Sequence, residues 1–345
     1  MRYLFHLLCG LAITLLTAAC ANPVATHVVP LPVLPNGPVD IRVAYVVNPR
    51  LPQMDAAELE TLLASMRSAV LEHFGVQLRF SPVELVPIAS LFDTIPPARR
   101  DTARKNIYDF KHGNGDRRRL EQAFAQGFRQ GGEPLEAMVE FARPYIGHLS
   151  QTSFESFGAR MAALQLERIG VWRDRKALDG GAAIDTQAFN EFAMWVALGY
   201  GDVPYELVLT NQLIVSVEYG APAVHVAIRG GYSNGFTTYS RLSRFGTMSV
   251  WSTYAFTGND DQLVQLRNGE RYTREESARL AGVTGAHELG HQLLHLLHPF
   301  GSVACLMNPL PQFRYHAWAD KLMAALCPLG SNPAVTPGAY KGFRY

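Results

Sequence analysis

The chain has 345 residues, 48% of them hydrophobic and 18% charged, with a formal net charge of +1. This is ordinary globular composition, with material for one large domain or two small ones. The near-neutral balance argues against a nucleic-acid or polyanion partner.

Arg2 precedes an apolar run from Leu4 to Leu16, followed by Thr17-Ala18-Ala19-Cys20. The run is short for a membrane span and ends in small residues, as a secretory signal does. Residues 1–20 are therefore expected to be a signal peptide. Leu16 to Cys20 is similar to a bacterial lipobox, which would make Cys20 the acylated first residue of an exported lipoprotein held to the membrane by its lipid. Asn22 is not the aspartate that retains such proteins at the inner membrane, so the outer membrane is the expected address. Cleavage near Ala21 without acylation is the simpler alternative. Residues 21–38 carry Pro23, Pro30, Pro32, Pro35 and Pro38 and read as an extended tether.

Ile41 to Val47 reads as a strand. Asp55 caps a helix to about Phe74, with Gly75 at its stop, and Val76 to Phe80 alternates as a second strand: a β-α-β opening. Residues 93–200 have helical periodicity, as in Phe154, Phe157, Met161 and Leu164, and form an expected helical insertion. Arg117-Arg118-Arg119 lies between Asp116 and Glu121 and reads as a solvated helix face. Strands are expected at 206–210, 213–217, 223–229 and 246–254, which makes His225 a strand histidine with a structural or surface role. Thr273 opens a helix that Gly282 and Gly285 are expected to break or bend. A further helix begins near Thr284, Met307-Asn308-Pro309 forms a turn, and Gln312 to Leu326 reads as a terminal helix.

The helix from Thr284 carries His287-Glu288-Leu289-Gly290-His291, an H-E-x-x-H pattern. Residues four apart share a helix face, so both imidazoles can grip one metal ion while Glu288 acts on a water beside it. The surrounding leucines imply a buried helix, where two histidines and a glutamate without partners would be costly. Downstream candidates for a third ligand are His295, His298, His316, Asp320 and Cys305, and no glutamate follows Glu288. In an unbroken helix His295 would lie about 12 Å along the axis from His287, too far for bonds of about 2.0–2.1 Å. Pro299 disfavours helix at His298, and a helix ending near His295 lets the chain double back and offer His298. Cys305 and Cys327 are expected to pair as a disulfide in an oxidising compartment, with metal ligation by either as the alternative.

His287, Glu288 and His291, a histidine just beyond the helix and then Cys305-Leu306-Met307-Asn308-Pro309 resemble the metzincin zinc peptidases, and most of all the archaemetzincin branch. The family pattern is H-E-x-x-H-x-x-G-x-x-H with a later methionine turn. Leu294 stands at its glycine position and Leu297 at its third histidine, with His298 one residue late. The cysteine set for a second zinc is incomplete. The resemblance covers roughly residues 40–90 and 205–327. It implies an α+β fold with a metzincin-like domain of residues 39–92 and 201–345, interrupted by the insertion 93–200. It further implies one Zn2+ on His287, His291 and His298, Glu288 as general base, Met307 as an apolar floor, and a protein or peptide substrate. A strand between Ala223 and Tyr254 would bind that substrate by edge pairing, and Tyr315 would either add a hydrogen bond or pack. The competing expectation is a non-catalytic zinc-containing envelope lipoprotein, serving as scaffold or binding module.

Overall fold

The computed structural model describes residues 28–110, 112–184, 189–215, 217, 219, 223–329 and 343–344. Residues 1–20, where a signal peptide ending at Cys20 is expected, and the first part of the proline-rich stretch lie outside the described residues. Among the described residues, no helix is long and apolar enough to cross a membrane.

The opening follows the expected β-α-β order. Strand β1 (Val28–Val29) pairs antiparallel with the distant β9 (Phe343–Arg344). Strands β2 (Val39–Ile41) and β3 (Val43–Val47) lead into helix α1 (Ala56–Phe74). Asp55 and Glu58 form a capping box at the start of α1, and Gly75 ends it at φ 72°, a left-handed conformation that favours glycine. Strand β4 (Leu78–Phe80) then pairs parallel with β2, and β5 (Glu84–Pro87) parallel with β3.

The described part of residues 93–200 is mainly helical, as its periodicity predicts. Helices α2 (Ile88–Asp93) and α3 (Pro97–Lys105) precede a bundle of α4 (Arg117–Gly131), α5 (Leu135–Ile146) and α6 (Phe154–Arg168). The short α7 (Gly170–Arg173) and α8 (Phe192–Ala197) complete the segment. The bundle shares its core with the rest of the molecule: Phe124, Phe157 and Trp172 belong to the same buried cluster as Tyr45, Trp251 and Trp318.

The main sheet has five strands in the order β5-β3-β6-β8-β7, where β6 is Leu207–Thr210, β7 Gly235–Tyr239 and β8 Thr247–Ser252. All neighbours run parallel except the edge strand β7, which pairs antiparallel with β8, Thr237 opposite Ser249. Alternation divides these strands between two layers. Tyr45, Leu209 and Trp251 join the cluster that holds α1 and the long helix α11 (Arg274–Leu294). Ala44, Val46, Val208 and Val250 join Leu91, Phe92 and Trp195 on the opposite face. The result is an α+β arrangement: a mixed sheet between helical layers, with a helical bundle attached.

Four sequence expectations are corrected. Residues 223–229 are not a strand: Val224–Ile228 is a short helix, α9, whose apolar β-branched residues mimic alternation because four of its five residues are buried. The 213–217 segment forms no strand among its described residues, only bridges at Val215. Gly282 and Gly285 do not break α11, which is continuous over 21 residues. They permit close packing: a Cβ at Gly282 would lie 2.1 Å from the Leu62 carbonyl oxygen, and one at Gly285 2.6 Å from Met66 Cε. The terminal helix is only α12 (Tyr315–Ala319) plus a 3-10 turn at Ala324–Leu326. The short α10 (Asp261–Leu266) precedes α11.

Candidate metal centre

The site is built on the last turns of α11 and the chain just beyond it. The helix ends at His295, which takes φ 50° and ψ 40°, a left-handed C-cap on a residue that is not glycine. The His295 amide donates to the His291 carbonyl, and the Leu296 amide to the Gly290 carbonyl. The chain reverses there and returns His298 toward the helix. His298 thus lies three residues beyond the left-handed His295.

His287, His291 and His298 form one cluster. Their Nε2 atoms are 3.1 Å apart for His287–His291 and 3.2 Å for each of the other two pairs. His287 Nδ1 lies 3.0 Å from the Leu306 carbonyl oxygen, His291 Nδ1 2.6 Å from that of Leu296, and His298 Nδ1 2.6 Å from Glu133 Oε1. A carbonyl or carboxylate oxygen only accepts, so these partners place the ring proton on Nδ1 and leave a lone pair on each Nε2. Three acceptor nitrogens then converge, a repulsive arrangement that a bound cation or a donating water would relieve. The donor set can therefore hold a metal ion. Burial pushes His287 down to about 3 and His291 well below its ordinary value, which keeps both imidazoles neutral and fit to ligate.

Glu288 is 6% exposed, and Thr237 Oγ1 of β7 lies 3.0 Å from its carbonyl oxygen and 3.4 Å from its Oε2. Burial raises its carboxyl to about 8, with Thr237 and the Arg229 charge opposing the shift; a cation nearby would pull it down again. Gly235 makes this close approach possible, since a Cβ there would lie 2.9 Å from Glu288 Cγ and 2.4 Å from Trp251 Cε3. Gln292, buried one turn on, donates to the carbonyl oxygens of Glu206 and Thr247 and ties α11 to the sheet. Met307 is buried beneath the helix: a Cβ on Gly290 would lie 2.4 Å from its Sδ.

The other candidates fall elsewhere. Cys305 and Cys327 have their sulfurs 2.04 Å apart, at disulfide distance. His295 is the helix cap, and His316 faces Glu276 at 3.8 Å. Tyr315 is fully buried, its hydroxyl accepting from Asn234 Nδ2 at 2.7 Å and its ring packed on Phe256. It also lines a small cavity with His225, Arg229, His287 and Glu288.

Sequence reasoning missed two residues. Glu133 sits between α4 and α5, 165 positions from the His298 it orients, and its Gly-Gly-Glu-Pro context reads only as a turn. Arg229 is buried beside the cluster. Its i, i+4 spacing from His225 would have placed both on one face had Val224–Ile228 been recognised as helix. No family model matches this chain, and neither a curated protein nor a solved structure matches it.

Proposed function

We propose that the chain is a zinc-dependent peptidase of metzincin type. The observation that carries this reading is the convergence of three Nε2 lone pairs, each ring fixed through Nδ1, beside a buried glutamate on the same helix. Two nitrogens bound at about 2.0–2.1 Å in a tetrahedral set stand about 3.3–3.4 Å apart, close to the 3.1–3.2 Å found here. His287, His291 and His298 would hold one zinc ion, leaving a fourth position for solvent or substrate. When bound, the ion supplies Lewis acidity, lowering the pKa of a water and polarising a carbonyl.

The protein's own groups do the rest. Glu288 takes the proton of the attacking water and returns it to the leaving amine. Leu306, Leu296 and Glu133 hold the imidazoles in the tautomer that ligates. Edge strand β7, whose outer side pairs with no strand among the described residues, offers backbone groups to an extended peptide. Met307 serves as the apolar floor. Export and lipid anchoring through Cys20 are part of the same proposal and rest on the sequence of residues 1–20. The non-catalytic reading gives Glu288 no task, since a structural site needs no buried base beside it.

The test is hydrolysis of a broad protein substrate such as casein. Activity should require zinc, vanish with chelator and return on re-addition. Glu288→Gln should retain one zinc per chain and lose about 100-fold or more in turnover. Unchanged turnover in that variant, or activity indifferent to chelation, would overturn the mechanism.

A further inference from the structure

Helix α9 presents His225 and Arg229, one turn apart, to the cavity that His287 and Glu288 also line. The helix is held from behind by the insertion: Arg168 Nη1 donates to the Ile228 carbonyl at 2.6 Å, and Trp172 Nε1 to the Arg229 carbonyl at 2.8 Å. Arg229 is only 8% exposed. Its Nη1 donates to Asn234 Oδ1 and its Nε to the His225 carbonyl at 3.3 Å. Among the described residues no carboxylate lies within ion-pairing distance of it, Glu288 acting on it only from farther off. Burying a guanidinium without a counter-ion is costly, and the burial lowers its proton affinity. Two other arginines are buried: Arg175 pairs with Asp260, and Arg267, with no ion pair among the described residues, gives its donors to the Ala255 carbonyl and Asn259 Oδ1.

From this geometry we infer that Arg229 is the docking point for a carboxylate of the substrate, delivered to the mouth of the metal centre. The inference rests on the peptidase reading. A guanidinium fork matches a carboxylate in shape and charge. The cavity beside it offers about 30 Å³ to the centres of water molecules, room for roughly two waters or one carboxylate. Trp251, Pro309, Leu310, Tyr315 and Trp318 wall it. Antiparallel addition to β7, the more stable of the two pairings, would run a peptide from Tyr239 toward Gly235. Its C-terminal end would then point at Asn234 and Arg229. A chain-end carboxylate docked there would make the activity that of a carboxypeptidase.

The test uses the zinc-loaded full chain carrying Glu288→Gln, so that binding is read without turnover. Calorimetry compares an acetylated tripeptide with a free C-terminus, its C-terminal amide, and amides with an internal glutamate or glutamine. The inference predicts at least tenfold tighter binding of a carboxylate-bearing peptide than of its neutral partner. The free-acid pair shows the preference if the chain end docks, and the glutamate pair if a side chain does. The preference should vanish in Arg229→Met and shrink in Arg229→Lys, which keeps the charge but not the fork, with one zinc per chain confirming an intact centre in both. Equal binding of acid and amide overturns the inference. So does a preference that survives in both variants, because the carboxylate would then be held by the metal alone. Wild-type turnover of the same peptides separates the two levels: binding preference without hydrolysis sinks the peptidase reading, and hydrolysis without carboxylate preference sinks only the role of Arg229.

Discussion

Glu133 belongs to the helical segment 93–200, far from α11 in sequence, yet its Oε1 holds His298 Nδ1 at 2.6 Å, with the two side chains only 17% and 12% exposed. That contact fixes the orientation of the one ligand that α11 does not supply. Partners of this kind are typically worth 10–100-fold in metal affinity or activity, about 1.4–2.7 kcal/mol. Glu133→Gln keeps an acceptor oxygen but loses the charge, so its zinc affinity should fall by about tenfold. Glu133→Ala loses both and should approach a hundredfold. Competition titration against a chromogenic zinc chelator at pH 7.5 measures this directly, with circular dichroism as the check on folding. A Glu133→Ala protein within twofold of wild type would refute the reasoning: the insertion would then be no part of the centre.

In metal-free protein, Glu288 has a folded pKa raised from 4.5 to about 8. Between those values the folded state holds a proton that the unfolded chain has released, so this group costs stability increasingly as pH rises. Glu288→Gln should therefore melt higher than wild type in chelator, by a margin that widens from pH 5 to pH 9; a constant or shrinking margin contradicts the burial account. His287 has the opposite sign: its folded pKa is depressed to about 3, so protonation of the unfolded chain removes stability as pH falls from about 6.5 toward 3. Gly282→Ala should cost about 3 kcal/mol, read by urea denaturation, because the clash is with the Leu62 backbone and no side chain can move aside; full stability would mean that α1 and α11 are not so close. Reducing Cys305–Cys327, 22 positions apart, should cost about 3 kcal/mol on the loop-entropy account. It should also weaken zinc binding, since Leu306, which holds His287, adjoins Cys305; affinity unaffected by reductant would separate the two.

The parts of this site carried by local sequence were legible before the structure. His287 and His291 share a helix face by spacing alone, with Glu288 beside them in the same motif, and Pro299 placed a turn near enough to bring His298 back. The turn falls where that reading put it, with the helix ending at the left-handed His295. The β-α-β opening followed from the Asp55 cap and Gly75, whose roles are local. What stayed hidden depends on distant packing. Gly282 and Gly285 look like helix breakers until α1 is seen against them. Val224–Ile228 looks like a strand because helix propensity yields to burial between the insertion and the metal centre. Glu133 and Arg229 carry no motif, and their meaning comes only from what they face.

The most direct measurement is zinc-edge anomalous diffraction from crystals of the zinc-loaded full chain. The account predicts one zinc per chain, ligated by His287, His291 and His298 through Nε2, with a fourth position occupied by solvent and Glu288 adjacent to it. Zinc elsewhere, a set without His298, or a fourth ligand from the protein that closes the site would contradict it.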